Sequence, residues 1–420
     1  MKPAAASPAL TPKLRFPEFR KAPGWDACPL QEIAEFVGDR VSVAELNRAD
    51  YVSTENLLPD FGGFSLPSSF PAGGSVVRYR ANDILAANIR PYLKKIWLAD
   101  RNGGASNDVL VIRAQTSINH QYLSYVLKND RFVAYVMSGA KGLKMPRGDV
   151  SLIREYPVPT PSLLEQHRIA SCLSSLDDLI AAERQKLDAL KAHKQGLMQQ
   201  LFPREGETRP RLRFPEFHNA PEWNQAPTSE IAEVLQGYGF PERYQGKRQG
   251  DYPFYKVSDI SRTLDAGSRY IDGAAHYIDH QTLKDLKAKT LPAGTTIFAK
   301  IGEALRLNKR VITMKPCVID NNVAGVKAIK NKATDLFLYY LWSTVSLADY
   351  SGGVVPAVNK SAIEAILVTH PFVAEQHRIA SCLSSLDALI AAQSDKLEAL
   401  KAHKKGLMQQ LFPAPAEVAG

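Results

Sequence analysis

From Ile169 to Leu201, apolar residues return in alternating steps of four and three: Ile169, Leu173, Leu176, Ile180, Leu187, Leu190, Leu197 and Leu201. Glu183 and Lys194 fill the two remaining places. An average repeat of about 3.5 residues lines these side chains along one seam of a helix, and such a seam is stable when a second helix covers it. The same chain supplies that second helix. Ile379, Leu383, Leu386, Ile390, Leu397, Leu400, Leu407 and Leu411 repeat the series, with Gln393 and Lys404 at the two polar places. If a pseudo-twofold axis relates the copies, the pair is an antiparallel coiled coil, and its polar seam positions can fix register. Ser162 with Glu165 predicts a capping box at the first helix start, whereas Phe372 holds that place in the second copy, which must be capped differently.

These helices are the tails of a longer internal repeat. EQHRIASCLSSLD at Glu165 to Asp177 recurs unchanged at Glu375 to Asp387, and GLMQQLFP at Gly196 to Pro203 recurs at Gly406 to Pro413. Of the 39 positions from Glu165 to Pro203, 33 are identical at an offset of 210. A shorter lead also repeats: LRFPEF at Leu14 to Phe19 and Leu212 to Phe217, then Trp25 and Trp223, then EIAE at Glu32 and Glu230. Each half is therefore a shared lead, a variable block and a shared tail. The expected division is a first domain over 1–160 with its lead, a helix over 161–203, a second domain over 204–370, a helix over 371–413 and a C-terminal tail over 414–420. LRFPEF and its Trp are read as a structural closure of each half, with the aromatic residues as core material, in preference to the alternative of a partner-docking strap.

Inside the blocks the period changes. SVVRY at 75–79, VLVIR at 109–113, TTIFAKI at 295–301 and RVITM at 310–314 are short β-branched runs that predict strands. His120 to Met137 and Thr334 to Tyr350 have helical spacing. Each block is thus an α+β domain. Faint landmarks, YVSTENL against YKVSDI and ILAANIR against TIFAKIG, make the blocks one fold with two different surfaces.

Charge adds a functional direction. The chain's formal charge is +9, yet the segments Glu165 to Pro203 and Glu375 to Pro413 are nearly neutral. Residues 39–160 carry 15 basic against 11 acidic side chains, and residues 238–370 carry 18 against 12. Two separately basic globular regions suit a polyanion such as double-stranded DNA gripped at two places. A coiled-coil scaffold that binds no DNA would not need the excess to avoid the helices. The candidate DNA-binding residues are basic or polar groups on Gly-rich loops, able to reach phosphates or guanine edges. In the first block these are Arg90, Lys94 and Lys95 in IRPYLKK, and Lys141, Lys144 and Arg147 in GAKGLKMPRG. In the second they are Lys300, Arg306, Lys309 and Arg310, with Asn359 and Lys360 in GGVVPAVNK.

Catalytic machinery is not legible. The sequence lacks a P-loop, HExxH, GxSxG and any [N/D]PP[Y/F] segment of the kind that holds an extruded adenine, so a stand-alone nuclease or methyltransferase is disfavoured. No metal or cofactor is expected. Cys28, Cys172, Cys317 and Cys382 form no CxxC pair, which fits a reducing compartment. No stretch approaches the ~18 apolar residues of a membrane span, and the expected location is the cytoplasm.

EQHRIASCLSSLD, KLDALKAHKQGLMQQLFP and LRFPEF with its Trp, duplicated around two variable blocks, resemble the specificity subunits of type I restriction-modification systems. The resemblance implies two target-recognition domains and two spacer helices. It further implies a bipartite, asymmetric DNA target, two modification (methyltransferase) subunits that bring S-adenosylmethionine, and optional restriction subunits that use ATP and Mg. The family's base-reading residues vary with the target, so none transfers singly.

Overall fold

The computed structural model describes residues 10–352 and 355–413, so the expected tail at 414–420 lies outside the described residues. The chain forms two compact units, one made of residues up to Ala182 together with those from Leu397 onward, the other of Glu183–Lys396.

The first unit contains β1 (Asp26–Pro29), α1 (Leu30–Ile33), β2 (Ala34–Phe36), β3 (Arg40–Ser42), β4 (Tyr51–Val52), β5 (Ser75–Tyr79), β6 (Ile84–Ala87), β7 (Ile96–Leu98), β8 (Gly103–Ala105), β9 (Val109–Ala114), α2 (His120–Leu127), α3 (Asp130–Ser138), α4 (Val150–Arg154) and β10 (Pro157–Thr160), and then the start of the long helix α5 (Leu163–Leu201). Strands pair in the order β2-β9-β6-β7 in an antiparallel sheet, β3-β5-β8-β4 in a second sheet, and β1 pairs with β10. Period-2 alternation sorts one sheet into two cores. Ile84, Ala86 and Ile112 face Tyr122, Leu123 and Val126 of α2, whereas Leu85, Ala87, Val109 and Val111 face Tyr79 and Trp97. Burying each large aliphatic contributes roughly 1.5–3 kcal/mol.

The second unit repeats the frame. It holds β11 (Asn224–Pro227), α6 (Thr228–Ile231), β12 (Ala232–Gln236), β13 (Tyr252–Tyr255), α7 (Val257–Asp265), β14 (Tyr270–Ile271), β15 (His276–Ile278), α8 (His280–Asp285), β16 (Thr296–Ala299), α9 (Glu303–Arg306), β17 (Arg310–Thr313), β18 (Val318–Ile319), β19 (Val323–Ala328), α10 (Asp335–Thr344), α11 (Lys360–Ala365), β20 (Leu367–His370) and most of α12 (Val373–Leu411). The order β12-β19-β16-β17 matches β2-β9-β6-β7, and β11-β20 matches β1-β10. What differs is the material set against this frame: β14 extends the sheet, and β15-β13-β18 replaces the second sheet of the first unit. The fold is α+β, duplicated, with two long helices. The faint landmarks have a shared local cause. Asn56 accepts the Ser53 N–H in YVSTENL and Asp259 accepts the Lys256 N–H in YKVSDI, so each side chain closes a turn that follows a strand.

Each lead closes its unit through an arginine. Arg15 donates to both oxygens of Glu165 at 2.7 and 2.8 Å and to the Ala22 and Pro23 carbonyls, while the Trp25 indole N–H donates to Glu165. Arg213, Glu375, Ala220, Pro221 and Trp223 repeat the arrangement. The aromatic residues of LRFPEF pack at the periphery, and the arginine that precedes them does the closing. This also corrects the expected capping box. Glu165 N–H reaches Ser162 Oγ at 3.4 Å, but the Glu165 carboxylate is committed to Arg15 instead of the helix N-terminus. At α12 the Phe372 carbonyl takes the Glu375 and Gln376 N–H groups.

In each unit the stretches of α5 and α12 that belong to it run antiparallel. Lys404 meets Asp177 at 2.5 Å in the first unit, and Lys194 meets Asp387 at 2.6 Å in the second. Tyr125 donates to Asp177 and Tyr340 to Asp387, and each lysine lies over the same tyrosine's ring. Of the seam, Ile169, Leu173, Leu187, Leu201, Ile379, Leu383, Leu397 and Leu411 are buried, while Leu176, Ile180, Leu190, Leu197, Leu386, Ile390, Leu400 and Leu407 are half-buried. Glu183 and Gln393, at equivalent places, face each other: the Gln393 amide donates to the Glu183 carboxylate at 2.6 Å, and Lys396 pairs with it at 2.5 Å. Those two partners hold the Glu183 carboxyl below its ordinary range, the Lys396 contact most strongly. In Gln393→Glu two carboxylates would meet there at neutral pH. Its melting temperature should fall below the parent's at pH 7.5, and the gap should narrow as the pH drops through the carboxylate range and one of the pair takes up a proton. A pH-independent gap in thermal melts would show that repulsion is not the cause.

Candidate functional site

The strand β6 ends at Ala87, and the following loop, Asn88 to Lys95, carries three of the basic candidates. After α3 a hairpin, Lys141 to Arg147, carries the other three of the first unit. The two segments are far apart in sequence and lie side by side. Arg90 N–H donates to the Pro146 carbonyl at 2.8 Å and Gly148 N–H to the Asn88 carbonyl at 3.1 Å. Lys141 and Arg147 exchange backbone hydrogen bonds of 2.9 Å across the hairpin. Buried Asn88 also donates from its side chain to the Gly148 carbonyl. Only glycine fits at 148, since a Cβ there would lie 2.6 Å from the Asn88 Oδ1.

The second unit builds the same pair. Gly302 N–H donates to the Pro356 carbonyl at 2.8 Å, Val358 N–H to the Lys300 carbonyl at 3.0 Å, and Gly352 bridges Ala357. Gly302, with φ +78°, occupies the place of Arg90, whose φ of +51° is a left-handed conformation that glycine adopts at little cost. Lys94 and Asn308, near the ends of the two loops, both have positive φ, +56° and +51°. The hydrogen bonds that join the two segments recur in both units while the side chains around them differ, which is the arrangement expected of one scaffold presenting two surfaces.

The candidates are not equally available. Arg90 and Lys144 are exposed and, among the described residues, carry no ion pair. Lys141 pairs with Asp149 at 2.9 Å and Arg147 with Asp108 at 2.5 Å, both at the surface, where such pairs are worth ~1 kcal/mol or less and exchange readily for another anion. Lys94 pairs with Asp130 at 2.7 Å, a hydrogen bond that raises the ammonium pKa. Lys95 donates to the Thr54 carbonyl at 2.5 Å and braces the loop.

In the second unit Arg306 is exposed on α9, and its nearest carboxylate, Glu303, is 3.6 Å away. Lys309 lies 3.6 Å from Asp265 and Lys360 3.5 Å from Glu364. Asn359 is exposed, and its side chain caps α11 by accepting the Ala362 N–H at 2.8 Å. Lys300 is half-buried, and burial lowers its ammonium pKa.

Arg310 departs from the surface role expected of it. It is the first residue of β17, at the sheet position that Ile96 holds in the first unit, and is only 3 % exposed. Its guanidinium stacks over Phe298 at 4.9 Å and donates to Asn308 and to the Lys309 and Val345 carbonyls. Burial pushes its pKa down to about 10. A side chain so enclosed braces the strand and cannot reach a ligand outside.

Chemically, these loops present fixed cations and backbone turns rather than an acid–base pair or a nucleophile. Among the described residues no group of His, Cys, Asp or Glu is arranged to hold a metal, and no helix is long and apolar enough to cross a membrane.

Comparison with known proteins agrees in both halves. The profile of the family described as Type I restriction modification DNA specificity domain matches residues 82–192 and 221–402. The chain belongs to this type I specificity family. The first match begins two residues before β6 and the second two residues before Trp223, and together they take in both loop pairs and most of both long helices. Among relatives, the type I restriction enzyme MjaVIII specificity subunit of Methanocaldococcus jannaschii is 23% identical over 347 residues, covering 80% of each chain. The EcoDI specificity subunit of Escherichia coli is 29% identical over a shorter stretch, 23% of this chain and 22% of that one.

Among solved structures, the type I restriction-modification S subunit from M. genitalium superposes with a TM-score of 0.59 at 15% identity, over 97% of this chain and 100% of that one. A chain from a study of complex assembly and conformational transition of the type I system gives 0.59 at 18% identity, over 93% and 98%. At those identities the structures establish a shared fold. Sequence reading missed Asn88, Pro146, Gly148 and Pro356 as the residues that position the specificity-family loops. The signal available was the proline shared by GAKGLKMPRG and GGVVPAVNK.

Proposed function

We propose that this specificity-family chain is the non-catalytic DNA-recognition subunit of a type I restriction-modification complex, each unit reading one half of a bipartite, asymmetric target. The observation that carries this is the repeated loop pair: the same hydrogen-bonded backbone occurs in both units, with different cationic side chains on it. Phosphate contacts from such side chains position a protein on a duplex, and contacts to base edges specify sequence. Different side chains on one backbone imply different half-sites. No [N/D]PP[Y/F] segment occurs in the sequence, so methyl transfer falls to two modification subunits carrying S-adenosylmethionine, joined where present by restriction subunits that use ATP. The site of action is the cytoplasm, where such partners meet chromosomal DNA.

Sequencing N6-methyladenine in the source organism with and without this gene tests the reading. Loss of one bipartite motif is the expected result, and an unchanged methylome in a strain with an active modification subunit would defeat it. The long helices are proposed to set the gap between half-sites. Deleting residues 184–190 together with 394–400, one heptad from each helix, should shorten the preferred spacer and leave both half-sites as they were. An unaltered spacer in the recovered motif would refute a ruler role for the helices.

A further inference from the structure

The hairpin of the first unit carries apolar side chains that the described residues of that unit leave exposed. Leu143 is 107 % exposed and Met145 53 %, between Lys141, Lys144 and Arg147. Their positions are fixed rather than loose. The Lys141 and Arg147 backbone bonds close the hairpin, Gly142 turns it at φ +98°, and buried Pro146 is held through its carbonyl by Arg90. A residue before proline is confined to an extended backbone, so Met145 is aimed by its neighbour. The second unit does the same with another sequence: Val355, 60 % exposed, precedes buried Pro356, whose carbonyl is held by Gly302. An exposed aliphatic residue before a pinned proline at equivalent places in both divergent units marks a shared task.

We infer that these hairpins are apolar wedges that enter the base stack of the bound duplex, Leu143 and Met145 in the half-site of the first unit and Val355 in that of the second. The inference rests on the DNA-recognition reading given above. In the first hairpin Lys141, Lys144 and Arg147 surround the apolar tip, an arrangement that fits DNA, which presents phosphates outside and an apolar stack inside. In the first hairpin the flanking cations hold the DNA backbone, and in each hairpin the apolar side chain separates two base pairs and kinks the duplex. The wedge also makes sequence matter at a step that no hydrogen bond reads, because pyrimidine–purine steps open more easily than others.

The test uses the full chain assembled with its modification subunits, on duplexes bearing the motif recovered from the methylome. 2-Aminopurine replaces one purine at a time, away from the methylated adenines. Severalfold brightening is expected at one step in each half-site. Leu143→Ser with Met145→Ser should abolish it in the first half-site alone and weaken binding about tenfold, Val355→Ser should abolish it in the second alone, and Leu143→Met should retain it. All these positions are solvent-exposed, and matching thermal melts verify that the variants are folded. Brightening that persists in the double serine variant, or tight motif-specific binding without brightening at any step, overturns the wedge and leaves DNA recognition standing; the latter result would place the hairpin against base edges such as the thymine methyl group. Absence of any preference for the motif over a scrambled duplex overturns both.

Discussion

Replacing Glu375 with alanine is expected to destabilise the second unit by about 3–5 kcal/mol, the usual cost of stranding one member of a buried ion pair. Arg213 and Glu375 have side chains only 5 % and 1 % exposed and are joined by two hydrogen bonds of 2.8 and 2.7 Å. The guanidinium keeps two carbonyl partners, Ala220 and Pro221, but these are dipoles and do not neutralise it. Trp223 would lose the acceptor of its indole N–H as well. Loss of the carboxylate therefore leaves an unpaired charge and an orphaned donor at the junction of lead, sheet and helix. The pair itself need not be a large net gain, since its attraction is set against the desolvation of both ions. The double variant Arg213→Met with Glu375→Leu should accordingly regain most of the loss. Urea unfolding of the three proteins decides it. A loss below ~1 kcal/mol in the single variant would mean that water reaches the site, and Glu165→Ala is expected to do to the first unit what Glu375→Ala does to the second.

Arg90→Gly combined with Lys144→Ala should give the larger functional loss with little effect on folding. Both side chains are exposed and without ion pairs among the described residues. Glycine at 90 removes a left-handed non-glycine residue, a conformation that costs roughly 1 kcal/mol, and it is the residue the second unit uses at the equivalent Gly302. Stability should hold or rise while DNA binding falls. If each cation neutralises one phosphate, the slope of log affinity against log salt should diminish by about 2, since each contact releases close to one counterion. Filter binding of the assembled complex from 50 to 200 mM salt measures this. An unchanged slope would remove both residues from the interface. If one of them instead reads a base edge, discrimination should relax in the first half-site only, and relaxation in the second would reverse the assignment of units to half-sites.

The large-scale plan was legible because duplication leaves a mark that tertiary context cannot hide. The identical stretches beginning EQHRIASC, the alternating four and three of the seam, and the strands at SVVRY, VLVIR, TTIFAKI and RVITM all correspond to elements of the structure. Local chemistry was harder to read. Arg310 looked like a loop cation because arginine is usually solvated, yet a strand position whose counterpart is Ile96 enclosed it over Phe298. The helical spacing of His120 to Met137 conceals a break at Lys128 and Asn129, where the Asn129 side chain caps a new helix by accepting the Arg131 N–H. In LRFPEF the aromatic residues drew the eye, but the partner that gives the motif its meaning, Glu165 or Glu375, lies about 150 residues further along, at a separation no local pattern encodes. The pairing of the two loops in each unit was likewise invisible, since it depends on backbone bonds between Asn88 and Gly148 or Lys300 and Val358.

The core of the first unit includes Met408, Leu411 and Phe412, with Phe412 against Tyr122 and its carbonyl held by Arg131. The second unit is one unbroken stretch, Glu183–Lys396. On the ribosome, domains ordinarily fold in the order they are made. Here the part translated first must wait, its core open, until the last turns of α12 emerge, while the part translated later is already whole. A stop codon shortly after Lys396 would therefore spare the younger unit and leave the older one unfinished.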